Sequence, residues 1–140
     1  MTSQYAQAYI RLYEELSHEA IEGMSAFVCS DVHFKDPFND ITGFAALRTL
    51  LTKTLSDVTN PIFRVTNQFQ DGETLFLRWT FQGQVKGLGD WHVVGMSAIR
   101  FDHEGKICEH IDYWDAAEQF YEKLPVIGAV LRMIKRRLQV

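Results

Sequence analysis

The chain is poor in cysteine: Cys29 and Cys108 are its only two, far apart and outside any Cys-x-x-Cys pattern. That spacing excludes a disulfide framework and a zinc knuckle, and leaves two apolar, buried thiols as the expected state. His-x-His and His-x-x-x-His spacings are also missing, so neither a metal nor a cofactor is expected. No stretch approaches the roughly 18 apolar residues of a membrane span. Met1–Tyr9 lacks the basic and apolar regions of a secretory leader, which predicts a cytoplasmic protein. Repeats, low-complexity runs and linkers are absent as well. One domain over residues 1–140 is the expectation, with a core large enough to stand without disulfides. Basic excess is lacking too: the formal net charge is −4, which argues against nucleic acid as the partner.

The charge that is present is unevenly placed. Residues 1–122 carry all 18 acids and nine of the 14 Lys/Arg, a net of −9. Residues 123–140 carry the other five, Lys123, Arg132, Lys135, Arg136 and Arg137, without an acid. Apolar Leu124, Val126, Ile127, Val130, Leu131, Ile134 and Leu138 interleave with them. Residues 116–140 thus read as a C-terminal basic amphipathic helical extension, bent or restarted at Pro125 and Gly128. Three uses fit it: a lid packed over the mouth of the body or onto a dimer partner, a weak membrane-surface contact, or a protein-docking helix.

Periodicity orders the rest. Tyr5, Tyr9, Leu12, Tyr13 and Leu16 recur at helical spacing, and Ile21, Met24 and Val28 repeat the pattern after Ser17-His18. Val32, Phe34 and Asp36 alternate with His33 and Lys35 until Pro37, a short strand. Thr42 is placed to cap a third helix whose stripe runs from Phe44 to Val58, with Asn60-Pro61 as its stop. Four β-rich runs follow, Ile62–Gln70, Thr74–Val85, Trp91–Phe101 and Lys106–Trp114, joined by short Gly/Asp turns that favour antiparallel hairpins. The order ααβαββββα predicts an α+β protein: a cone-shaped curved antiparallel sheet wrapped over N-terminal helices.

That order, with Phe34-Lys35-Asp36-Pro37 ending the first strand and Arg100–Ile107 leading into Ile111-Asp112-Tyr113-Trp114, resembles the nuclear-transport-factor-2-like superfamily over nearly the whole chain. The superfamily includes ketosteroid isomerases, limonene-epoxide hydrolases, scytalone dehydratases and SnoaL-like polyketide cyclases. The fold serves enzymes and binding modules alike, so both classes stay open. The resemblance implies a pocket in the cone, and four residues as catalytic candidates. Asp36 resembles the proton-abstracting Asp of the isomerases, with a turn cap as its structural alternative. Tyr13 would supply an oxyanion donor, while Ser97 stands where those enzymes place an acid, which argues against true ketosteroid isomerisation. Arg78 and Asp112 match two members of the epoxide-hydrolase Asp-Arg-Asp set; Thr80 replaces the third. Strand alternation is read as putting Phe76, Arg78 and Thr80 on one face and His110, Asp112 and Trp114 on another, so that Arg78 and Asp112 pair, either for catalysis or as a structural ion pair.

Tyr9, Phe34, Phe76, Ser97, His110 and Trp114 complete the expected pocket, and the ligand would be a small apolar molecule with a polar oxygen function. The resemblance also implies a homodimer, formed through an outer sheet face read as Leu75, Leu77, Trp79 and Phe81.

Overall fold

The computed structural model describes residues 3–140. Two helices open the chain, α1 (Gln4–Glu14) and α2 (His18–Gly23). Each begins where a serine hydroxyl accepts an otherwise orphaned backbone N–H, Ser3 from Ala6 at 3.1 Å and Ser17 from Ala20 at 3.0 Å. A short 3-10 turn, Met24–Ala26, leads into β1 (Val28–Lys35), which folds back through β2 (Asp40–Thr42). Helix α3 (Phe44–Asp57) follows, then β3 (Val58–Asp71), β4 (Thr74–Val85), β5 (Gly89–Phe101) and β6 (Ile107–Tyr113). The predicted Thr42 cap is not used: Thr42 pairs with His33 in β2, and α3 starts after Gly43, whose φ of 105° suits glycine.

The strands form one curved, unclosed sheet in the order β2-β1-β6-β5-β4-β3. β3 to β6 make the expected antiparallel meander. The β1–β6 pair, however, is parallel, so the sheet is mixed. Parallel strands need a long crossover, and here residues 36–106, about half of the chain, lie between the two. Asn60-Pro61 lies inside β3, not between helix and strand. It sits at a register shift against β4, with Asn60 at φ 51°, the kind of bulge where a residue without an N–H can enter a ladder.

The concave face holds the core. Leu75, Leu77 and Trp79 of β4, Val93 and Ile99 of β5, Ile107 of β6, and Val32 and Phe34 of β1 pack against Ala6, Tyr9 and Leu12 of α1 and Leu47 and Leu51 of α3. This corrects the sequence reading of β4. Leu75, Leu77 and Trp79 face inward, so Phe76 and Arg78 face out. Each large apolar side chain gains about 1.5–3 kcal/mol on full burial. Turning the strand over would forfeit three of them and bury a guanidinium. The expected dimer face therefore lies in the core, and the outer face carries exposed Phe69, Phe76, Met96 and Tyr113 instead. Cys29 and Cys108 are half-buried, not fully buried, and both thiols are unpaired. The Cys29 thiol donates to Asp102 Oδ2 at 3.0 Å, and desolvation with that carboxylate pushes its pKa up.

Beyond β6 the chain runs through α4 (Ala116–Gln119), a 3-10 turn at Tyr121–Lys123, and α5 (Pro125–Leu138). The restart falls at Pro125, the first position of α5, where a missing N–H is harmless. Among the described residues, no helix is long and apolar enough to cross a membrane.

Candidate active site

A cavity of about 700 Å³ lies between the concave sheet face and α3. Its wall is mainly apolar, with Phe34, Leu50, Phe63, Trp79, Phe81, Trp91, Val93, Trp114 and Phe120 among the lining residues. Tyr13, Asp36 and Asp112 bring polar groups to the same wall. At one end the rings of Trp91, Trp114, Phe120 and Phe38 meet edge to face, with centroids 5.0–5.7 Å apart. That cover is fixed to the sheet by Gln119. Its amide accepts from Val94 N at 2.7 Å and donates to Val94 O at 3.1 Å, replacing β6 beside β5 after β6 has ended. The Trp91 indole donates to Gln119 O at 2.6 Å. Phe120 is the last residue on the wall; α5 contributes none, which does not support its reading as a lid over this cavity.

Asp112 is the centre of a hydrogen-bond network drawn from four elements. His110 and Asp112 are two apart on β6, hence on one face. Their side chains meet, with His110 Nε2 2.5 Å from Asp112 Oδ1. Ser97 lies directly opposite Asp112 on β5 and donates its hydroxyl to the same oxygen at 2.5 Å. The Trp79 indole reaches diagonally across from β4 to donate to Ser97 Oγ at 2.8 Å. It can lie there because its cross-strand partner is Gly95, where a Cβ would stand 2.5 Å from the indole ring. From α1, Tyr9 Oη is 2.6 Å from His110 Nδ1, and Tyr13 Oη is 3.1 Å from Tyr9 Oη. The spacing of four residues puts both phenols on one helix face.

Directions follow from the donor inventory. With Asp112 as the carboxylate, His110 Nε2–H donates to it and Nδ1 accepts from the Tyr9 hydroxyl. Tyr9 oxygen then accepts from Tyr13. Desolvation raises the pKa of both phenols well above the ordinary tyrosine value, so they remain hydroxyl donors. Asp112 Oδ1 takes two donors, while among the described residues Oδ2 has no protein donor and is not a buried unsatisfied atom. The result is a half-satisfied carboxylate on an apolar wall beside a protonated phenol.

Asp36 reaches the same cavity in a different state. Its Oδ1 accepts from Phe38 N at 2.8 Å, Asn39 N at 2.7 Å and Asn39 Nδ2 at 3.1 Å. This is the turn cap that sequence offered as its alternative role. Arg78 is a correction: it is exposed on the outer face opposite Met96, so no Arg78–Asp112 pair forms. Phe76 is likewise removed from the pocket, 38% exposed beside Phe69. Phe34 and Trp114 line the cavity. Tyr9, Ser97 and His110 stand just behind its wall, buried and bonded to the residues that do. Trp79 is the member that sequence reasoning missed, having placed it on the outer face. Its signal was the apolar majority on the Leu75, Leu77 and Trp79 side of β4.

A family model described as the SnoaL-like domain matches residues 9–110. Solved structures similar to this chain share its fold at low identity. A hypothetical protein with a ketosteroid isomerase-like fold from Catenulispora acidiphila DSM 44928, in complex with trimethylamine, is 16% identical at a TM-score of 0.71, over 85% of this chain and 91% of that one. An epoxide hydrolase of the LEH-like kind from M. tuberculosis is 17% identical at 0.68, over 94% of each chain. A candidate SnoaL-like polyketide cyclase from Shewanella denitrificans OS-217 is 18% identical at 0.68, over 83% of this chain and 93% of that one. No curated protein matches the sequence.

Proposed function

The chain belongs to the SnoaL-like family, and from that premise we propose a cytoplasmic, cofactor-independent enzyme that moves a proton on a small, largely apolar carbonyl compound. Asp112 is the base and Tyr13 the donor to the substrate oxygen. The observation that carries this reading is the free Oδ2 of Asp112 on an apolar cavity wall that also bears the Tyr13 phenol. A volume of about 700 Å³ falls within the range of small-molecule sites, roughly 300–1,000 Å³.

In the proposed step, Asp112 Oδ2 takes a proton from the carbon next to the carbonyl. The C–H electron pair becomes the enolate double bond and the carbonyl pair moves to oxygen, where the Tyr13 hydroxyl, turned from Tyr9 to the substrate, stabilises it. Return of the proton to another carbon gives isomerisation. Attack of the enolate carbon on a second carbonyl gives cyclisation, and loss of a β-hydroxyl as water gives dehydration. Ser97, His110 and Tyr9 are positioning residues, holding Oδ1 so that Oδ2 stays presented. Epoxide hydrolysis is the weaker reading, because Arg78 faces out and Thr80 stands in place of the further carboxylate.

Deuterium uptake at the α-carbon of a panel of apolar ketones, followed by NMR, tests this without knowing the product. Wild type is expected to catalyse uptake from at least one ketone. Asp112→Asn is expected to lose it about 10²–10⁴-fold while staying folded. Saturable ligand binding with no uptake by wild type would make the cavity a binding site alone. A second copy of the chain is proposed on the outer face, over Phe76, Met96 and Tyr113; a monomer in sedimentation would contradict it.

A further inference from the structure

An amphipathic helix in a soluble protein normally turns its apolar stripe to the body. Helix α5 does the reverse. It docks on the Tyr121–Lys123 turn by its polar edge, through Gly128, its one buried residue, where a Cβ would run into the Glu122 carbonyl. On the same edge Arg132 donates to Glu122 O, and Lys135 Nζ lies 3.7 Å from Glu122 and 4.0 Å from Glu118. The stripe of Val126, Ile127, Val130, Met133, Ile134 and Leu138 points the other way, each side chain 46–79% exposed.

Charge identifies what covers that stripe. Residues 123–140 hold five cations and no acid, against a body of net −9. Among the described residues, Arg136 and Arg137 enter no ion pair, the helix's pairs being those of Lys135. Pairing α5 with the α5 of a second copy would set two such cationic segments side by side. An apolar stripe flanked by Arg136 and ended at its C-terminal turn by Arg137, without a carboxylate, complements an anionic bilayer surface. We infer that α5 is a peripheral anchor, lying in the plane of an anionic membrane with Ile127, Val130 and Ile134 in the acyl boundary and Arg136 and Arg137 among the headgroups. The chain leads from α5 through the Tyr121–Lys123 turn to Phe120 on the cavity wall, so an anchored molecule holds its cavity close to an apolar phase. This inference stands independently of the proton-transfer reading.

Co-sedimentation of the full chain with vesicles of phosphatidylcholine alone, or of equimolar phosphatidylcholine and phosphatidylserine, tests it. Binding is expected to the anionic vesicles only, weakening as salt is raised. Removing two surface charges, Arg136→Gln with Arg137→Gln, should weaken it about 30-fold. Ile134→Glu should abolish it, with circular dichroism confirming that the exposed substitution leaves the fold intact. The inference is overturned if wild type binds neither vesicle, binds both equally, or binds undiminished after Ile134→Glu. It is equally overturned if an acidic amphipathic peptide, and no vesicle, protects the stripe.

Discussion

Two histidine–carboxylate pairs, one joining β1 to β2 and the other within β6, have almost the same separation. His33 Nε2 is 2.6 Å from Asp40 and His110 Nε2 is 2.5 Å from Asp112. They differ in everything else. The side chains of the first pair are 32% and 63% exposed, and the other ring nitrogen faces a second carboxylate, Glu109, at 3.2 Å. Those of the second are 4% and 15% exposed, and the other ring nitrogen meets a phenol that continues inward to Tyr13. Distance therefore does not separate a surface ion pair from a buried network on a cavity wall. Burial, and where the next hydrogen bond leads, do.

Replacing each ring should widen that contrast. His110→Phe keeps a ring but strands the Tyr9 hydroxyl and removes a donor from Asp112; each loss costs about 1–3 kcal/mol. A fall in thermal midpoint of roughly 4–24 °C is the expected calorimetric result, from about 2–4 °C per kcal/mol at this size. A shift within a degree or two would mean that the buried network is not holding the site. The equivalent change at the surface, His33→Gln, should cost no more than about 0.5 kcal/mol, because an exposed pair is screened by water and salt. Its effect should also depend on pH. Hydrogen bonds to Asp40, then to Glu109, raise the His33 pKa above its ordinary value of 6.5. A raised histidine contributes stability that is fully present below the unfolded pKa and is lost as pH rises through the folded one. Urea denaturation should show wild type ahead of His33→Gln at about pH 6, with the gap closing towards about pH 9. A constant gap would mean that His33 acts by packing.

Much of this arrangement was legible in the sequence. Helical spacing put Tyr9 and Tyr13 on one face of α1, strand alternation put His110 with Asp112, and the family resemblance placed Ser97 in the site. What was not legible depended on partners far away in sequence. The β1–β6 pairing is parallel and closes over about half of the chain, so no local turn announces it. The diagonal reach of Trp79 to Ser97 depends on the β4–β5 register and on Gly95. β4 was the misread strand, because family resemblance drew Arg78 inward against the weight of Leu75, Leu77 and Trp79. Asp36 shows the complementary lesson: it faces the cavity, yet its Oδ1 is engaged by amides two and three residues away, a local bond that strand alternation could not reveal.

Asp36 and Asp112, two of the carboxylates that line the cavity, offer the most direct test of the account. Deuterium uptake by apolar ketones should be measured on wild type, Asp36→Asn and Asp112→Asn together, with folding checked in each. The account predicts uptake by wild type, uptake within about tenfold of it for Asp36→Asn, and a loss of about 10²–10⁴-fold for a folded Asp112→Asn. Full uptake by Asp112→Asn, or its loss in Asp36→Asn alone, would contradict the assignment of Asp112 as the base.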